Sequence, residues 1–459
     1  MFAVTDADIQ EEAEWQRKMA TPNLEEVLEI VKGGKASIAA YATGTNRTEA
    51  SATAMLLYNL AKHFEAGVPA QHQQAARTAA TNLMRDLLSA PSISSTDTST
   101  DAGSQSLSLL TDLEPKTFAL CAWSSSKLHL NQAADVELLC MAIIQHSINS
   151  GILNNFQWVD WSQLLYGLAM SGITCSQNPG LQVIFDSAAT RLPPTLPTED
   201  PQRASQAISN ILYAAGKAGA EGSKWQEYVA AVVAGHKLGT AMVDAFPQQW
   251  ANMVWACRVL KVYNPEFLAA VARMTVAQAE DATPQNLCNT LHALAGLGWY
   301  EPALYDALLE VLSCKLAGGK PQEVSNALYA CCLVQHNSEA VQRVVEAAVL
   351  LCDFRRWKGQ DLSNTLLACA VLQRHVRGTG QLQETAAVAE LSRVLFATAS
   401  QWRASAFSSL EKRQLFMAQQ QGQRTHQACL PAGSPLLKAI AQEWQDDKLK
   451  LVRQQPLQF

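Results

Sequence analysis

The 459-residue sequence has no stretch approaching the roughly 18 consecutive apolar residues of a membrane span. It also lacks a disulfide framework. Eleven cysteines are present, none in a Cys-x-x-Cys pair or a disulfide-framework spacing. Cys257, Cys331 and Cys369 instead fall on apolar stripes of helical period, where Cys acts as a small hydrophobe. Reduced core cysteines fit an intracellular compartment. No glycine-rich phosphate loop follows a strand-like run, and "GHKLGTAM" at 235–242 has the wrong glycine spacing for one. The nine histidines show no His-Glu-x-x-His motif or paired metal spacing. Ser209 and Cys288 have no sequence partner that would mark them as nucleophiles. The expectation is a protein that is not an enzyme and carries no metal and no cofactor.

Charge excludes less. The net charge is −6, but eight of the 41 acids lie in residues 1–31 against only Arg17 and Lys18, so the rest of the chain is balanced. Nucleic acid is neither favoured nor ruled out by charge. The acidic residues from Asp6 onward resemble neither a secretory signal nor a basic transit peptide.

What the sequence does have is a repeat. "SQAISNILYAAGKA" starts at Ser205, "PQQWANMVWACRVL" at Pro247, "PQNLCNTLHALAGLG" at Pro284, "PQEVSNALYACCLV" at Pro321 and "GQDLSNTLLACAVL" at Gly359. Their asparagines, Asn210, Asn252, Asn289, Asn326 and Asn364, are 42, 37, 37 and 38 residues apart. "VDWSQLLYGLAMSG" puts Gln163 in the same slot, and "FSSLEKRQLFMA" puts Gln414 there. "KTFALCAWSSSKL" (116–128) and "TAMLLYNLAKHF" (53–64) keep the apolar pattern without the polar signature. A second amphipathic run follows the first within a repeat, as in "EPALYDALLEVLSCKLAGG" (301–319) and "SEAVQRVVEAAVLLC" (338–352). One such hairpin cannot bury its own apolar stripe, so neighbours must stack. The predicted fold is all-α, an α-solenoid of stacked two-helix repeats of about 37–38 residues.

The predicted organisation is an acidic segment at 1–31, degenerate helical repeats at 32–89 and 107–200, regular repeats at 201–400 and capping helices at 401–459. The Ser/Thr/Asp-rich stretch 90–106 reads as a disordered loop. "LPPTLPTEDP" (192–201) is a proline-rich insertion.

A helical wheel that places Leu287, Leu291 and Leu294 on the core puts Asn289 nearly opposite, with Gln285 and His292 on the same side. Gln248, Gln285, Gln322 and Gln360 with the asparagines and Gln163 would then form a ladder. This ladder has two compatible readings. Each Asn can bridge adjacent helices and set the superhelix, or the ladder can grip a ligand that repeats as the protein does. Single-stranded RNA is such a ligand, because Asn and Gln pair with base edges and helical repeats can read one base each. Variable neighbours would discriminate between bases: Gln249, Asn286, Glu323, Asp361, Ser209, Ser325 and Ser363. Phosphate candidates are Arg355, Arg356, Lys358, Arg374 and Arg377.

The frames "PQNLCNTLHALAGLG", "PQEVSNALYACCLV" and "GQDLSNTLLACAVL" at this spacing resemble the octotricopeptide repeat family of green algae. The resemblance spans about 205–375 and weakens over 50–200 and 400–430. It implies a sequence-selective single-stranded RNA-binding protein in an organelle. The expected compartment is the chloroplast, with the mitochondrion as alternative. The expected role is stabilising, processing, splicing or promoting translation of a transcript beside RNA-processing proteins, with no membrane partner. The tryptophan common in the family appears here only as Trp255, with Tyr213, His292, Tyr329 and Leu367 in its place elsewhere. Many members end in a RAP domain, whereas "KLKLVRQQPLQF" offers no strand–helix alternation, so no activity of that domain is carried over. The alternative expectation is a protein-binding scaffold of the HEAT or armadillo kind.

Overall fold

The computed structural model describes residues 22–89, 109–128, 134–192, 201–234, 242, 245–317, 319–351, 356–378, 386–425 and 429–454. The stretch 90–106 and most of 1–31, 192–201 and 235–242 lie outside them. All regular structure among the described residues is helical, without a strand. The chain divides into two compact units, Met1–Ala245 and Phe246–Phe459.

Unit 1 contains α1 (Leu24–Lys32), α2 (Gly34–Gly44), α3 (Glu49–Ala66), α4 (Gln73–Leu88), α5 (Pro115–Lys127), α6 (Ala134–Asn149), α7 (Trp158–Met170), α8 (Pro179–Arg191), α9 (Pro201–Ala218) and α10 (Ser223–Ala234). The leading helices α3, α5, α7 and α9 pack each on the next in one layer. The trailing helices α4, α6, α8 and α10 do the same in a second layer.

Unit 2 contains α11 (Pro247–Val259), α12 (Pro265–Ala277), α13 (Pro284–Gly296), α14 (Pro302–Lys315), α15 (Pro321–Val334), α16 (Glu339–Leu351), α17 (Gly359–Gly378), α18 (Ala386–Ser400), α19 (Ser409–Thr425) and α20 (Pro435–Gln454). Its leading layer is α11, α13, α15, α17 and α19, closed by α20, and its trailing layer is α12, α14, α16 and α18. Both units are stacks of helical hairpins, and the protein is an all-α solenoid.

Local sequence sets the helix bounds. Proline occupies the first turn of α5, α8, α11, α12, α13, α14 and α15, where a missing N–H costs nothing. Thr283 caps α13 by accepting from the Asn286 N–H at 3.2 Å. At the other end of α7, α9, α11, α13 and α15 the chain turns through a left-handed residue nine positions after the polar slot. These are Gly172, Gly219, Lys261, Gly298 and Gln335, all with positive φ. The next N–H then reaches back to the last turn, as Val262 to Cys257, Trp299 to Leu294 and His336 to Cys331, at 2.8–2.9 Å. This Schellman arrangement satisfies carbonyls the helix leaves open. Only glycine takes that conformation without strain, so Lys261 and Gln335 hold it at a cost.

The apolar stripes predicted from periodicity form the core. Leu287, Leu291 and Leu294 are fully buried, as are Val324, Leu328 and Cys331 in the next repeat. Each buried leucine contributes roughly 1.5–3 kcal/mol. Cys257, Cys331 and Cys369 are free, buried thiols, and burial pushes Cys257 and Cys369 up to about 12. They serve as packing.

Candidate nucleic-acid interface

Four positions on each leading helix share one side at 3.6 residues per turn: the polar slot and the residues four before, three after and seven after it. On α13 these are Gln285, Asn289, His292 and Gly296, of which the outer two are exposed and the inner two half-buried. Helix α11 presents Gln248, Asn252, Trp255 and Val259 in the same way. Helices α15 and α17 present Gln322, Asn326, Tyr329 and Leu333, and Gln360, Asn364, Leu367 and Val371. In unit 1, α9 gives Gln206, Asn210, Tyr213 and Lys217. The glutamines Gln206, Gln248, Gln285, Gln322 and Gln360 are all exposed.

The asparagines sit lower than the wheel implied. Asn326 and Asn364 are buried, while Asn210, Asn252, Asn289 and Gln163 are half-buried. Asn326 Nδ2 donates to Asn289 Oδ1 at 3.3 Å, and Gln414 Nε2 donates to Asn364 Oδ1 at 2.8 Å. On α9 the bond stays within the helix, with Gln206 Nε2 donating to Asn210 Oδ1 at 2.9 Å. The Oε1 of Gln163 is buried without a hydrogen-bond partner. The slot lies in the seam between neighbouring leading helices rather than opposite the core. A wheel for one helix sees one packing direction, whereas a stacked helix is covered on both flanks.

Small residues make the seam narrow. The position four after each polar slot is Gly167, Ala214, Ala256, Ala293, Ala330, Ala368 or Ala418, all buried. At Gly167 the approach leaves no space for a side chain, since a methyl there would fall 2.2 Å from the backbone carbonyl of Ala122 on α5. The columns proposed as base readers are largely taken up by this architecture. Gln249 accepts from the Phe246 N–H at 2.9 Å, Glu323 from the Lys320 N–H at 2.8 Å and Asp361 from the Lys358 N–H at 3.1 Å. They are residues of the first turn that tie down an orphan donor at the helix start. Asn286, at the same position, is half-buried. Ser209, Ser325 and Ser363 are buried beside the slot. Ser209 Oγ donates to the Gln206 carbonyl at 2.9 Å, and Ser363 Oγ donates to Gln414 Oε1 at the same distance.

The charged groups near the stripe are few. Arg258 donates to His292 Nδ1 at 3.1 Å and crosses Gly296, where a methyl would fall 2.0 Å from its Nε. Burial and then the Arg258 charge hold His292 down to about 4, so it is a neutral acceptor. Of the phosphate candidates, Arg356 and Lys358 are exposed. Arg355 and the side chains of Arg374 and Arg377 lie outside the described residues. A cavity of about 660 Å³ opens beside the last leading helices, lined by Leu367, Val371, Phe416, Gln420, Arg424 and Trp444 among others. The described residues include no cluster of three or more His, Cys, Asp or Glu placed to hold a metal ion. They include no helix long and apolar enough to cross a membrane.

No protein-family model matches the chain, and no curated protein matches it. Sequence reasoning overlooked the register of α3 and α5, whose slots are the apolar Met55 and Leu120. Aligning Pro115 with Pro284 would have placed Trp123 opposite His292 in the ring column.

Proposed function

We propose that the protein binds single-stranded RNA along the exposed stripe of its leading helices. One observation carries this reading: an exposed Gln, a half-buried or buried Asn and a ring or apolar side chain recur in one register on α9, α11, α13, α15 and α17. Exposed amides pair with base edges, and a half-exposed ring offers a face on which a base stacks. Arg356 and Lys358 lie at the start of α17 as phosphate contacts. The readers on this view are the exposed glutamines, with the asparagines holding the pitch on which they are spaced. The resemblance to octotricopeptide repeats adds the biological setting, an organelle and above all the chloroplast. There the protein stabilises, processes, splices or activates translation of a transcript.

The test is retention of the full chain on a random single-stranded RNA pool. Binding should weaken steeply with salt and exceed binding to a duplex of equal length. Retention no better than that of a neutral control protein at low salt overturns the proposal. A second reading, a protein-binding scaffold of the HEAT or armadillo kind, takes its support from the Asn326–Asn289 and Gln414–Asn364 bonds, which spend amides inside the stack. It predicts that replacing the exposed glutamines weakens a protein partner and leaves RNA retention unchanged.

A further inference from the structure

The leading helices of unit 1 lack the amide slot at α3 and α5, yet they carry the ring column without a break. Tyr58, Trp123, Tyr166 and Tyr213 occupy the same register position on α3, α5, α7 and α9, and each is half-buried. Tyr58 and Trp123 have ring centroids 5.4 Å apart, and Tyr166 and Tyr213 are 6.4 Å apart. Between these pairs stands Lys127, whose Nζ lies 5.3 Å from the Trp123 ring and 5.6 Å from that of Tyr166. Lys62 Nζ lies 5.3 Å from Trp123. Lys62, Lys127 and Lys217 each follow a ring by four residues, one helical turn on. The one acid in this group is Glu65, which pairs with Lys127 at 2.8 Å and Lys62 at 3.4 Å.

These rings differ from the packing aromatics of the same unit. Trp225 and Phe185 meet edge to face at 5.3 Å and are fully sealed, and Trp161 is buried against Phe156. The column rings stay partly open on four successive helices, and Trp123 and Tyr166 have lysine ammonium groups over their faces.

We infer that Tyr58, Trp123, Tyr166 and Tyr213, with Lys62, Lys127 and Lys217, form a stacking platform for single-stranded RNA that accepts any base. The inference rests on the RNA reading above and adds to it a contact in unit 1 that does not depend on amide readout. Every base has a π face, so stacking on aromatics is tolerant of sequence, and lysines beside it follow the backbone. Three lysines against one glutamate leave the track positive, matching a polyanion. A surface pair such as Lys127–Glu65 is weak enough to be exchanged for a phosphate.

The experiment uses the full chain and oligo(U), oligo(A) and oligo(C) probes. The double variant Trp123→Ala, Tyr166→Ala should weaken all three by about tenfold or more per ring removed. A second variant, Lys62→Gln with Lys127→Gln, keeps every ring and should flatten the slope of log affinity against log salt by about 0.7 per lysine. Oligo(U) containing 4-thiouridine should crosslink to peptides of α5 and α7. If both variants bind within twofold of the parent while a Gln285→Ala, Gln322→Ala variant loses affinity, the platform is excluded and the RNA reading stands. If the parent retains no probe at low salt, both fall. If the ring variant loses its fold, the lysine variant and the crosslinks decide.

Discussion

Asn326 donates from Nδ2 to Oδ1 of Asn289 across 3.3 Å, joining two leading helices at equivalent positions 37 residues apart. Two residues from one repeated slot thus share a hydrogen bond across the seam. Replacing either by Ala leaves the other amide short of a partner in a narrow seam. Each single change should cost about 1 kcal/mol, and the double change less than the sum. Urea denaturation of the four proteins in the cycle measures this, and full additivity would disprove the pairing.

The exposed glutamines should behave oppositely. Gln248→Ala, Gln285→Ala, Gln322→Ala and Gln360→Ala together should move the melting temperature by only a few degrees, since surface changes fall within about 0.5 kcal/mol each. RNA affinity should drop at least tenfold. A stable variant with undiminished affinity would remove the glutamines from the interface.

Gly167 has no room for a side chain. A methyl 2.2 Å from the Ala122 carbonyl forces α7 away from α5, so Gly167→Ala should destabilise unit 1 by about 1–3 kcal/mol. A thermal shift assay with Gly44→Ala as control, where a methyl meets nothing within 4 Å, isolates the effect.

Lys261 and Gln335 hold left-handed conformations at φ of 58° and 56°, where other repeats use glycine. Lys261→Gly and Gln335→Gly should each stabilise the protein by about 0.5–1 kcal/mol, the relief of strain exceeding the added freedom of the unfolded chain. Gly298→Ala should lower stability by a similar amount. Chemical denaturation midpoints report all three.

His292 gives a pH dependence of definite sign. Its folded-state pKa is lowered to about 4 from 6.5, so between these values the unfolded chain takes up a proton that the folded one refuses. Its contribution to stability is complete above about 6.5 and is lost as pH falls toward 4. His292→Asn removes this titration and should reduce the slope of stability against pH in that window. His146 and His336 are also lowered, chiefly by burial, so the readout is the difference between variant and parent.

The sequence made the stacked hairpins legible because Leu287, Leu291 and Leu294 and their counterparts repeat at both the helical and the 37-residue period. Proline and glycine marked where α13 begins and ends. The roles of Gln249, Glu323 and Asp361 were not legible. A polar residue in the first turn looks the same whether it faces a ligand or reaches back to its own backbone, and Phe246, Lys320 and Lys358 are not the usual capping residues that would have flagged it. The seam around Asn326 and Asn364 was hidden for another reason. It depends on how closely Ala330 and Ala368 let two helices approach, and no single-helix pattern records that.

The left-handed residue that ends α7, α9, α11, α13 and α15 has an evolutionary consequence. The turn into the trailing helix is then four residues from α9 to α10 and from α15 to α16, and five from α11 to α12 and from α13 to α14. Extra chain therefore accumulates on the return path. Residues 89–114, 192–200 and 235–246 all link a trailing helix to the next leading one. A lineage that gains or loses a hairpin would cut the chain between a trailing helix and the next leading one, where each repeat begins.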